Sequence, residues 1–539
     1  MVKLAGRSLI GFRQGNGSGE PLCATDPATG HSLQPGFIAA TKEEVDLAAR
    51  LSAEAFVVYS RTPGRVRGAF LRTIAIKIES IAGEIVERAE RETALPPARL
   101  QGETVRTCAQ LRLFADVAEE GSWVSARIDH ADPDRKPLPR PDIRSMLRPL
   151  GPIVVFGASN FPLAFSVAGG DTASALAGGN PVIVKAHAAH PGTSELVGQM
   201  VRDSVRECGL PEGAFSLLFG TGAEIGVALM KHPLVKGGGF TGSRTAGRIL
   251  MDIASSRPEP IPFYAEMSST NPVFILPGAM RERSESIAVG LHTSFTLGAG
   301  QFCTKPGMVF FPQSSEAATF TDKLRQLVVG SAPFHLLTKS IYSSYDSALA
   351  GRKNNTAVRL VAEAQKGAPA CGFAVGAALF ETDADTFLSS DLDAEIFGPT
   401  TLLVRHSKRD QILEIARSLE GQLTATIHGT AQDLHDFADL ISILEGRVGR
   451  LVFNGFPTGV EVCPAMVHGG PYPSTSDGRS TSVGTRAIFR FTRPGCYQGF
   501  PDDALPEELK DSNRSGIWRM VDGQMTREAT LPASLAPRP

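Results

Sequence analysis

The stretch Pro152-Ile-Val-Val-Phe156-Gly-Ala-Ser-Asn160-Phe-Pro162 decides the class of fold. Its first five residues form a short continuous apolar run, which is typical of a parallel strand buried on both faces. The small and polar residues that follow predict a turn. A helix predicted over about 168–177 then leads to a second apolar run, Pro181-Val-Ile-Val-Lys185. This order predicts a strand–helix–strand unit with its two strands side by side.

The alternation continues towards the C-terminus. We predict a helix over about 194–208 and strands over 214–219 and 234–240. Strands and helices that alternate at this spacing predict an α/β fold with a doubly wound parallel sheet. The strands end in Gly220-Thr-Gly222 and Thr241-Gly-Ser243. Such glycine-rich strand ends are where these sheets bind ligands.

The segment Gly237-Gly-Gly239-Phe-Thr-Gly242 matches the GxGxxG pattern between a strand and a helix. It admits two interpretations, a dinucleotide fingerprint or a close turn with tight helix–strand packing. No clear ribose-binding acid follows it, and the chain contains 55 glycines. The pattern alone therefore does not separate the two interpretations.

The flanking regions have a different character. A capping box at Thr41-Lys-Glu-Glu44 predicts a helix to about Tyr59, and amphipathic helices follow over Arg65 to Glu92 and 100–118. We assign these helices to core packing. The prolines of residues 132–152 exclude a helix there and predict an extended arm or an edge ribbon, with Ile143-Arg-Ser-Met-Leu147 as an exposed edge. A second α/β alternation is predicted over 267–455, then a strand over 485–491 and a loosely wrapped, polar extension past residue 500.

Length and composition exclude several classes of protein. A chain of 539 residues predicts two or three domains, and 42% apolar and 20% charged residues are ordinary for a globular protein. The net charge of −2 gives no electrostatic reason to expect nucleic acid or a membrane as partner. No apolar run approaches 18 residues, and the first residues do not resemble a signal peptide. Seven scattered cysteines without CxxC spacing predict no disulfides, no metal site and a reducing, cytoplasmic compartment.

Three residues are candidates for chemistry. Cys303 lies in Gly298-Ala-Gly-Gln-Phe-Cys-Thr-Lys-Pro-Gly307, a loop that presents the thiol on a turn, where Lys305 could favour the thiolate. Asn160 could donate its amide N–H to an oxyanion. Glu266, within an apolar run, is either paired or has the raised pKa of a general base. Each has a structural alternative: a small buried cysteine, a turn asparagine and a buried salt bridge.

Taken together, these segments resemble the aldehyde dehydrogenase superfamily over about residues 20–500. The resemblance implies a Rossmann-type cofactor domain (1–131 and 151–266), a second α/β catalytic domain (267–455), a small β oligomerisation ribbon (132–150 and 480–500) and a C-terminal extension (501–539). The matching segments are Phe156-Gly-Ala-Ser-Asn-Phe-Pro-Leu163, Pro181-Val-Ile-Val-Lys185, Phe240-Thr-Gly-Ser243, Glu266, Gly300-Gln-Phe-Cys303, Glu395-Ile-Phe-Gly-Pro399 and Asn454-Gly-Phe456.

The resemblance also implies roles for single residues. Cys303 looks like the nucleophile, Asn160 part of the oxyanion hole and Glu266 the base that activates water. The expected cofactor contacts are Lys185, His187, Ala188, Gly222, Ser243, Arg244, Glu395 and Phe397. The expected substrate contacts are Phe161, Phe165, Phe456 and His468.

The segments Phe302-Cys-Thr-Lys-Pro-Gly307 and His468-Gly-Gly-Pro-Tyr-Pro473 resemble a narrower branch that contains α-ketoglutaric semialdehyde dehydrogenases. That branch implies oxidation of 2,5-dioxopentanoate with NADP, although NAD is possible. Ala188 stands where many members have a glutamate that would repel a 2′-phosphate. Fatty or aromatic aldehydes, a CoA-acylating reaction and a non-catalytic binding protein stay open as alternatives. A homodimer or homotetramer is expected.

Overall fold

The computed structural model describes residues 3–367 and 372–530. The predicted α/β class is confirmed. The described chain forms two seven-stranded sheets, one five-stranded sheet and two small two-stranded ones. None of the described helices combines the length and apolar character needed to cross a membrane.

The first large sheet contains the strand–helix units predicted around Phe156. Five neighbouring strands, counted from one edge of the sheet, are parallel, and the strand predicted over 234–240 begins instead at Gly237. The chain winds outward in both directions from Ile153–Phe156. Ligands bind at such a switch point in doubly wound sheets. In spatial order the strands are Phe263–Glu266, Gly237–Thr241, Ile153–Phe156, Val182–Lys185, Phe215–Leu218, Leu9–Ile10 and Arg13–Gln14.

The glycines of the GxGxxG pattern serve close packing in this sheet. A Cβ at Gly238 would lie 2.8 Å from the Phe263 side chain, and one at Gly239 would lie 2.7 Å from Asp171 Oδ2. Only a hydrogen fits at these two positions. The packing interpretation therefore accounts for the middle of the pattern without a dinucleotide.

Helices cover both faces of this sheet. The capping box at Thr41 is confirmed. The single helix predicted from Arg65 to Glu92 is wrong, because this segment forms two helices. It is broken at Ile81, whose φ of −119° and ψ of 19° leave helical geometry. The helices are Lys42–Tyr59, Gly64–Ser80, Ala82–Thr93, Pro97–Glu120, Gly170–Ala177, Pro191–Glu207, Val227–Lys231 and Arg244–Ser255.

The second large sheet confirms the α/β alternation predicted after Glu266. All its strands are parallel except the edge strand Arg359–Glu363. Apolar side chains of these strands pack against the helices in two buried clusters. In spatial order the strands are Arg359–Glu363, Ala378–Asp383, Thr400–His406, Met308–Pro312, Val273–Ile275, Gln422–His428 and Val448–Phe453. The helices are Pro277–Thr296, Ser315–Val329, Lys339–Asn354, Ala384–Ser389, Arg409–Ser418, Ala431–Asp436 and Ala438–Glu445.

The five-stranded sheet corrects two predictions about the C-terminal part. The segment Thr485–Phe491 is a 3-10 helix, and the strand begins only at Thr492. The segment past residue 500 is not loosely wrapped, because Leu509 and Ile517 are buried against Ile128 and Met146. In spatial order the strands are Thr492–Gln498, Ile143–Pro149, Arg127–Asp129, Arg519–Val521 and Gln524–Thr526.

Candidate active site

The loop that carries Cys303 is held by backbone constraints. Gly298, Ala299 and Gly300 have φ values of 56°, 60° and 67°, and a Cβ at Gly300 would lie 2.2 Å from the Gly398 carbonyl oxygen. Asn271 Nδ2 donates to the carbonyl oxygens of Cys303 at 2.8 Å and Lys305 at 3.0 Å. The thiol is therefore presented on a turn, as predicted, and is partly exposed.

The predicted influence of Lys305 on the thiol is wrong. Its Nζ points away from Cys303 and donates to the carbonyl oxygens of Ile396 at 2.9 Å and Thr400 at 3.1 Å. Burial lowers the pKa of Lys305 to about 8. The side chain braces the backbone of the neighbouring Glu395 segment instead.

The Cys303 thiol converges with two side chains from distant parts of the chain. Its Sγ lies 3.3 Å from Nε2 of His468, and the same nitrogen lies 2.8 Å from Oε1 of Glu266. Ser482 Oγ donates to the second carboxylate oxygen of Glu266 at 3.1 Å. His468 and Glu266 are 2% and 4% exposed, so water does not screen this contact.

The electrostatics of this cluster favour a neutral thiol at rest. Burial opposes ionisation of Glu266, but His468 and hydrogen bonds from His468, Cys303 and Ser482 outweigh it and lower the pKa of the carboxyl group. Burial and the Glu266 charge raise the pKa of Cys303 well above its usual value. The thiol therefore needs a proton acceptor before it can attack, and the Glu266–His468 pair is in contact with it.

Asn160 lies beside the same loop. It is 7% exposed, and its Nδ2 donates to the Gln301 carbonyl oxygen at 2.9 Å. An amide nitrogen carries two N–H bonds, and this contact uses one of them. The second can donate to an oxygen atom of a substrate held against Cys303.

The residues expected at the adenosine end of a cofactor lie after the strand Val182–Lys185. Burial lowers the pKa of Lys185 to about 8. Burial, His190 and Lys185 lower the pKa of His187 well below its usual value, and its Nδ1 accepts from the Ala189 backbone N–H. His187 is therefore a neutral donor through Nε2–H, and Ala188 is exposed.

The residues expected at the pyrophosphate lie on two exposed turns. Ser243 caps the helix Arg244–Ser255, since its Oγ accepts from the Ala246 N–H at 3.3 Å. Gly222 begins the short π-helix Gly222–Gly226 and has open space where a side chain would be. Arg244, which we expected at a 2′-phosphate instead, has a partner that the sequence did not indicate: its Nη1 and Nη2 donate to the Glu420 carboxylate at 2.7 Å and 3.2 Å.

Glu395 and Phe397, expected at the nicotinamide ribose and ring, are partly buried in the loop before Thr400–His406. Burial raises the pKa of Glu395 to about 7, while Lys305 and hydrogen bonds from Ser268 and Ser269 act in the opposite direction. The carboxyl group therefore changes charge near neutral pH.

One group of side chains could hold a metal ion. The donor atoms of Glu266, Cys303 and His468 all lie within 4.8 Å of one another. Sequence spacing could not indicate this cluster, because the three residues come from separate segments. Thiolate, imidazole and carboxylate together suit Zn²⁺.

A model of the aldehyde dehydrogenase family matches residues 13–492. The chain belongs to this family. It is 48% identical over 525 residues to α-ketoglutaric semialdehyde dehydrogenase 2 of Azospirillum brasilense, with 97% of this chain and 100% of that protein covered. It is 45% identical over 493 residues to α-ketoglutaric semialdehyde dehydrogenase of Acinetobacter baylyi, with 91% and 93% covered.

Solved structures of other aldehyde dehydrogenases have the same fold. A 1-pyrroline-5-carboxylate dehydrogenase from Thermus with bound NAD aligns with a TM-score of 0.78 at 19% identity, over 91% of this chain and 92% of that one. An aldehyde dehydrogenase from Bacillus cereus in complex with NAD⁺ also gives 0.78 at 19% identity, over 91% and 96%. These similarities confirm the fold.

The aromatic residues expected at the substrate separate into two places in this aldehyde dehydrogenase. The ring of Phe161 contacts Phe165 at 5.3 Å and Phe302 at 5.1 Å between centroids, and Phe165 lies 6.0 Å from His468. Phe456 packs against His428 at 4.8 Å and joins no ring contact with that group within the described residues. His468 itself lies between the nucleophile and Glu266, a position that suits proton transfer.

The helix Pro97–Glu120, which we assigned to core packing alone, also reaches this site. Arg99 Nη2 donates to the Asn160 carbonyl oxygen at 2.8 Å, and its guanidinium lies 4.7 Å from the centre of the Phe302 ring. Arg106 lies 5.2 Å from the centre of the Phe165 ring. No local sequence pattern identifies these arginines, because only the packing of the helix against residues 160–165 brings them there.

Proposed function

We propose that this chain oxidises an aldehyde to a carboxylic acid through a covalent intermediate on Cys303. The observation that carries the proposal is the contact of the thiol with His468 and Glu266. A thiol with a raised pKa is a poor nucleophile by itself, and this pair can take its proton. The proton then belongs to the coupled pair rather than to either residue alone.

The chemistry follows from the positions of these groups. The Cys303 sulfur attacks the aldehyde carbon, and the Asn160 amide and the Cys303 backbone N–H stabilise the oxyanion of the thiohemiacetal. A nicotinamide cofactor, when bound, accepts the hydride. A thioester remains on the sulfur. After the pair has released the thiol proton to solvent, Glu266, with His468, takes a proton from the water that attacks the thioester. The carbon–sulfur bond then breaks, and the acid leaves with Cys303 as a thiolate.

The switch point of the first sheet suits a dinucleotide. Ser243 at a helix N-terminus, Gly222 and Lys185 all follow strands of that sheet at their carboxyl ends, where backbone N–H groups favour a pyrophosphate. We propose NADP as the preferred cofactor, with NAD possible, because Ala188 carries no charge to repel a 2′-phosphate.

We propose 2,5-dioxopentanoate as the aldehyde and 2-oxoglutarate as the product. The names of the two relatives that are 45% and 48% identical support this substrate. The rings of Phe161, Phe165 and Phe302 favour a second candidate, a fatty or aromatic aldehyde. The test is to measure kcat/KM for both classes of aldehyde with NADP, using the absorbance of the reduced cofactor at 340 nm. A higher value for pentanal than for 2,5-dioxopentanoate would contradict the proposed substrate.

Water is the proposed acyl acceptor because Glu266 is retained in contact with Cys303. A CoA-acylating reaction would not need this base, and a non-catalytic protein would need neither residue. Reduction of NADP without added CoA distinguishes these alternatives, since only a hydrolytic enzyme then turns over repeatedly.

We further propose a homo-oligomer in the cytoplasm. Six cysteines of the described chain are free, as in a reducing compartment.

A further inference from the structure

Arg106 places a guanidinium group inside the protein without an acidic partner. Its Nε donates to the Val460 carbonyl oxygen at 3.2 Å. Its Nη1 and Nη2 are buried and have no hydrogen-bond partner within the described part of the chain, and no ion pair there includes this side chain. Native proteins rarely leave buried donors unpaired, so these two nitrogens indicate a missing anionic partner.

The guanidinium group lies close to the reacting atoms. It is 5.2 Å from the centre of the Phe165 ring, and the centre of that ring lies 6.0 Å from the centre of the His468 ring. Arg106 and the residue that contacts the Cys303 thiol therefore both neighbour Phe165. Burial lowers the pKa of Arg106, and Glu103, Cys303, Glu461 and Glu266, in that order of strength, oppose this shift. The side chain stays a cation.

Glu103, one helical turn before Arg106, is the acidic residue with the strongest electrostatic effect on it. Its Oε1 accepts from the backbone N–H groups of Leu163 at 2.9 Å and Ala164 at 3.0 Å. Its Oε2 lies 3.9 Å from Arg99 and has no hydrogen-bond partner within the described residues, so it does not bind Arg106 either. Glu103 therefore holds the Asn160–Ala164 turn in place. The planar guanidinium group of Arg106 is left free to bind another carboxylate through two nitrogens.

We propose that Arg106 binds the terminal carboxylate of an ω-oxo acid whose aldehyde carbon lies at Cys303. This inference rests on the proposed oxidation of an aldehyde. The carboxylate and aldehyde carbons of a five-carbon oxo acid are about 5 Å apart when extended, from ordinary bond lengths. Such a molecule can pass beside Phe165 and reach both ends. The fork of Arg106 then binds both carboxylate oxygens.

The test compares two aldehydes of equal chain length, 2,5-dioxopentanoate and pentanal. For Arg106→Met we expect the ratio of their kcat/KM values to fall by about 100-fold, because a charge pair to the substrate is lost. Methionine keeps the apolar stem beside Phe165. Arg112→Met is the matched control, since Arg112 lies on the same helix and binds Glu79 at the surface. Its ratio should equal that of the wild type.

The outcomes separate this inference from the proposed substrate. A wild type that prefers pentanal overturns the substrate. A wild type that prefers 2,5-dioxopentanoate, with the same ratio in Arg106→Met, overturns the role of Arg106 alone. If the methionine variant does not fold, Arg106→Lys replaces it. That change keeps the charge but loses the fork, so the ratio should fall by about tenfold through KM. An unchanged ratio in the lysine variant, with no rise in KM, then overturns the role.

Discussion

At the scale of single residues, the reactivity of the site depends on contact between groups with opposed pKa shifts. Cys303 is held neutral by burial and by the Glu266 charge, whereas Glu266 is held ionised by His468 and three hydrogen bonds. The thiol is therefore unreactive by itself, whereas Glu266 is in the ionised state that a base needs, and transfer of the thiol proton to the Glu266–His468 pair generates the nucleophile.

We expect Cys303→Ala to abolish aldehyde oxidation while NADP still binds. The change removes the sulfur that would form the thiohemiacetal and leaves the Lys185 and Ser243 regions intact. Steady-state reduction of NADP and cofactor titration by fluorescence measure the two properties. Cys23→Ala, at an exposed cysteine elsewhere, is the control. Residual kcat above a few per cent of wild type would show that another group is the nucleophile.

We expect His468→Gln to slow the first turnover by about 100-fold at pH 7, the usual contribution of a positioned acid–base group. The thiol of this variant must ionise without its partner, and its pKa is raised. The rate of the pre-steady-state burst should therefore increase with pH up to at least 9. His435→Gln, an exposed histidine, should behave as wild type. A burst with wild-type rate and pH profile would refute the role of His468.

Glu395 should make the binding of NADP depend on pH, because its pKa is raised to about 7. Below that pH the carboxyl group is neutral, and above it the carboxylate can accept from two ribose hydroxyl groups. We expect the KM for NADP to fall as pH rises from 6 to 8. In Glu395→Gln the KM should be higher and independent of pH over this range. A wild-type KM that rises with pH would contradict this assignment.

At the scale of elements, the carboxyl ends of strands collect the site. Glu266, Lys185 and Ser243 lie at or directly after strands of the first sheet, and Cys303 approaches from the loop before Met308–Pro312 of the second. The two sheets therefore present complementary parts of one site. The helix Pro97–Glu120 adds Arg99 and Arg106 from outside both sheets.

The turn after Val182–Lys185 should set the choice of cofactor. We expect Ala188→Glu to reduce kcat/KM for NADP by at least tenfold, about 1.4 kcal/mol, through repulsion of the 2′-phosphate. Efficiency with NAD should hold or increase. Ala188→Gln is the control of equal length without charge. Equal efficiency with both cofactors in the wild type would refute the preference.

At the scale of the whole molecule, the five-stranded sheet leaves one long edge unpaired. The strand Thr492–Gln498 pairs on one side with Ile143–Pro149, and its other side has no partner within the described chain. Open edges of this kind invite pairing with another chain. The segment 143–147, which we expected to be an exposed edge, is instead an interior strand.

We therefore expect a stable oligomer at micromolar concentration that depends on this edge. Cys496→Lys places a charge on the exposed strand and should reduce the mass measured by light scattering. Met525→Lys, on the opposite edge strand Gln524–Thr526, is the matched control and should not. A wild type that scatters as a monomer would rule out the oligomer. Dissociation by the Met525 change alone would place the interface elsewhere.

The sequence alone established the α/β class and the doubly wound sheet, because several short apolar runs such as residues 152–156 alternate with helical segments at the spacing of parallel strands. It also identified Cys303 as the thiol on a constrained loop, since glycines and a proline flank it. It did not establish that residues 485–491 form a 3-10 helix, because a short segment of mixed apolar and basic residues suits several conformations.

Only the tertiary structure decided which groups meet. His468 lies 165 residues from Cys303 in the chain, and no spacing rule connects the two. Lys305 lies two residues from the thiol and yet binds carbonyl groups on the other side of the loop. Arg106 looked like an ordinary helix residue until packing buried its guanidinium group beside Phe165. Contact and burial set pKa values and pairing, and both depend on how distant segments pack rather than on their order in the chain.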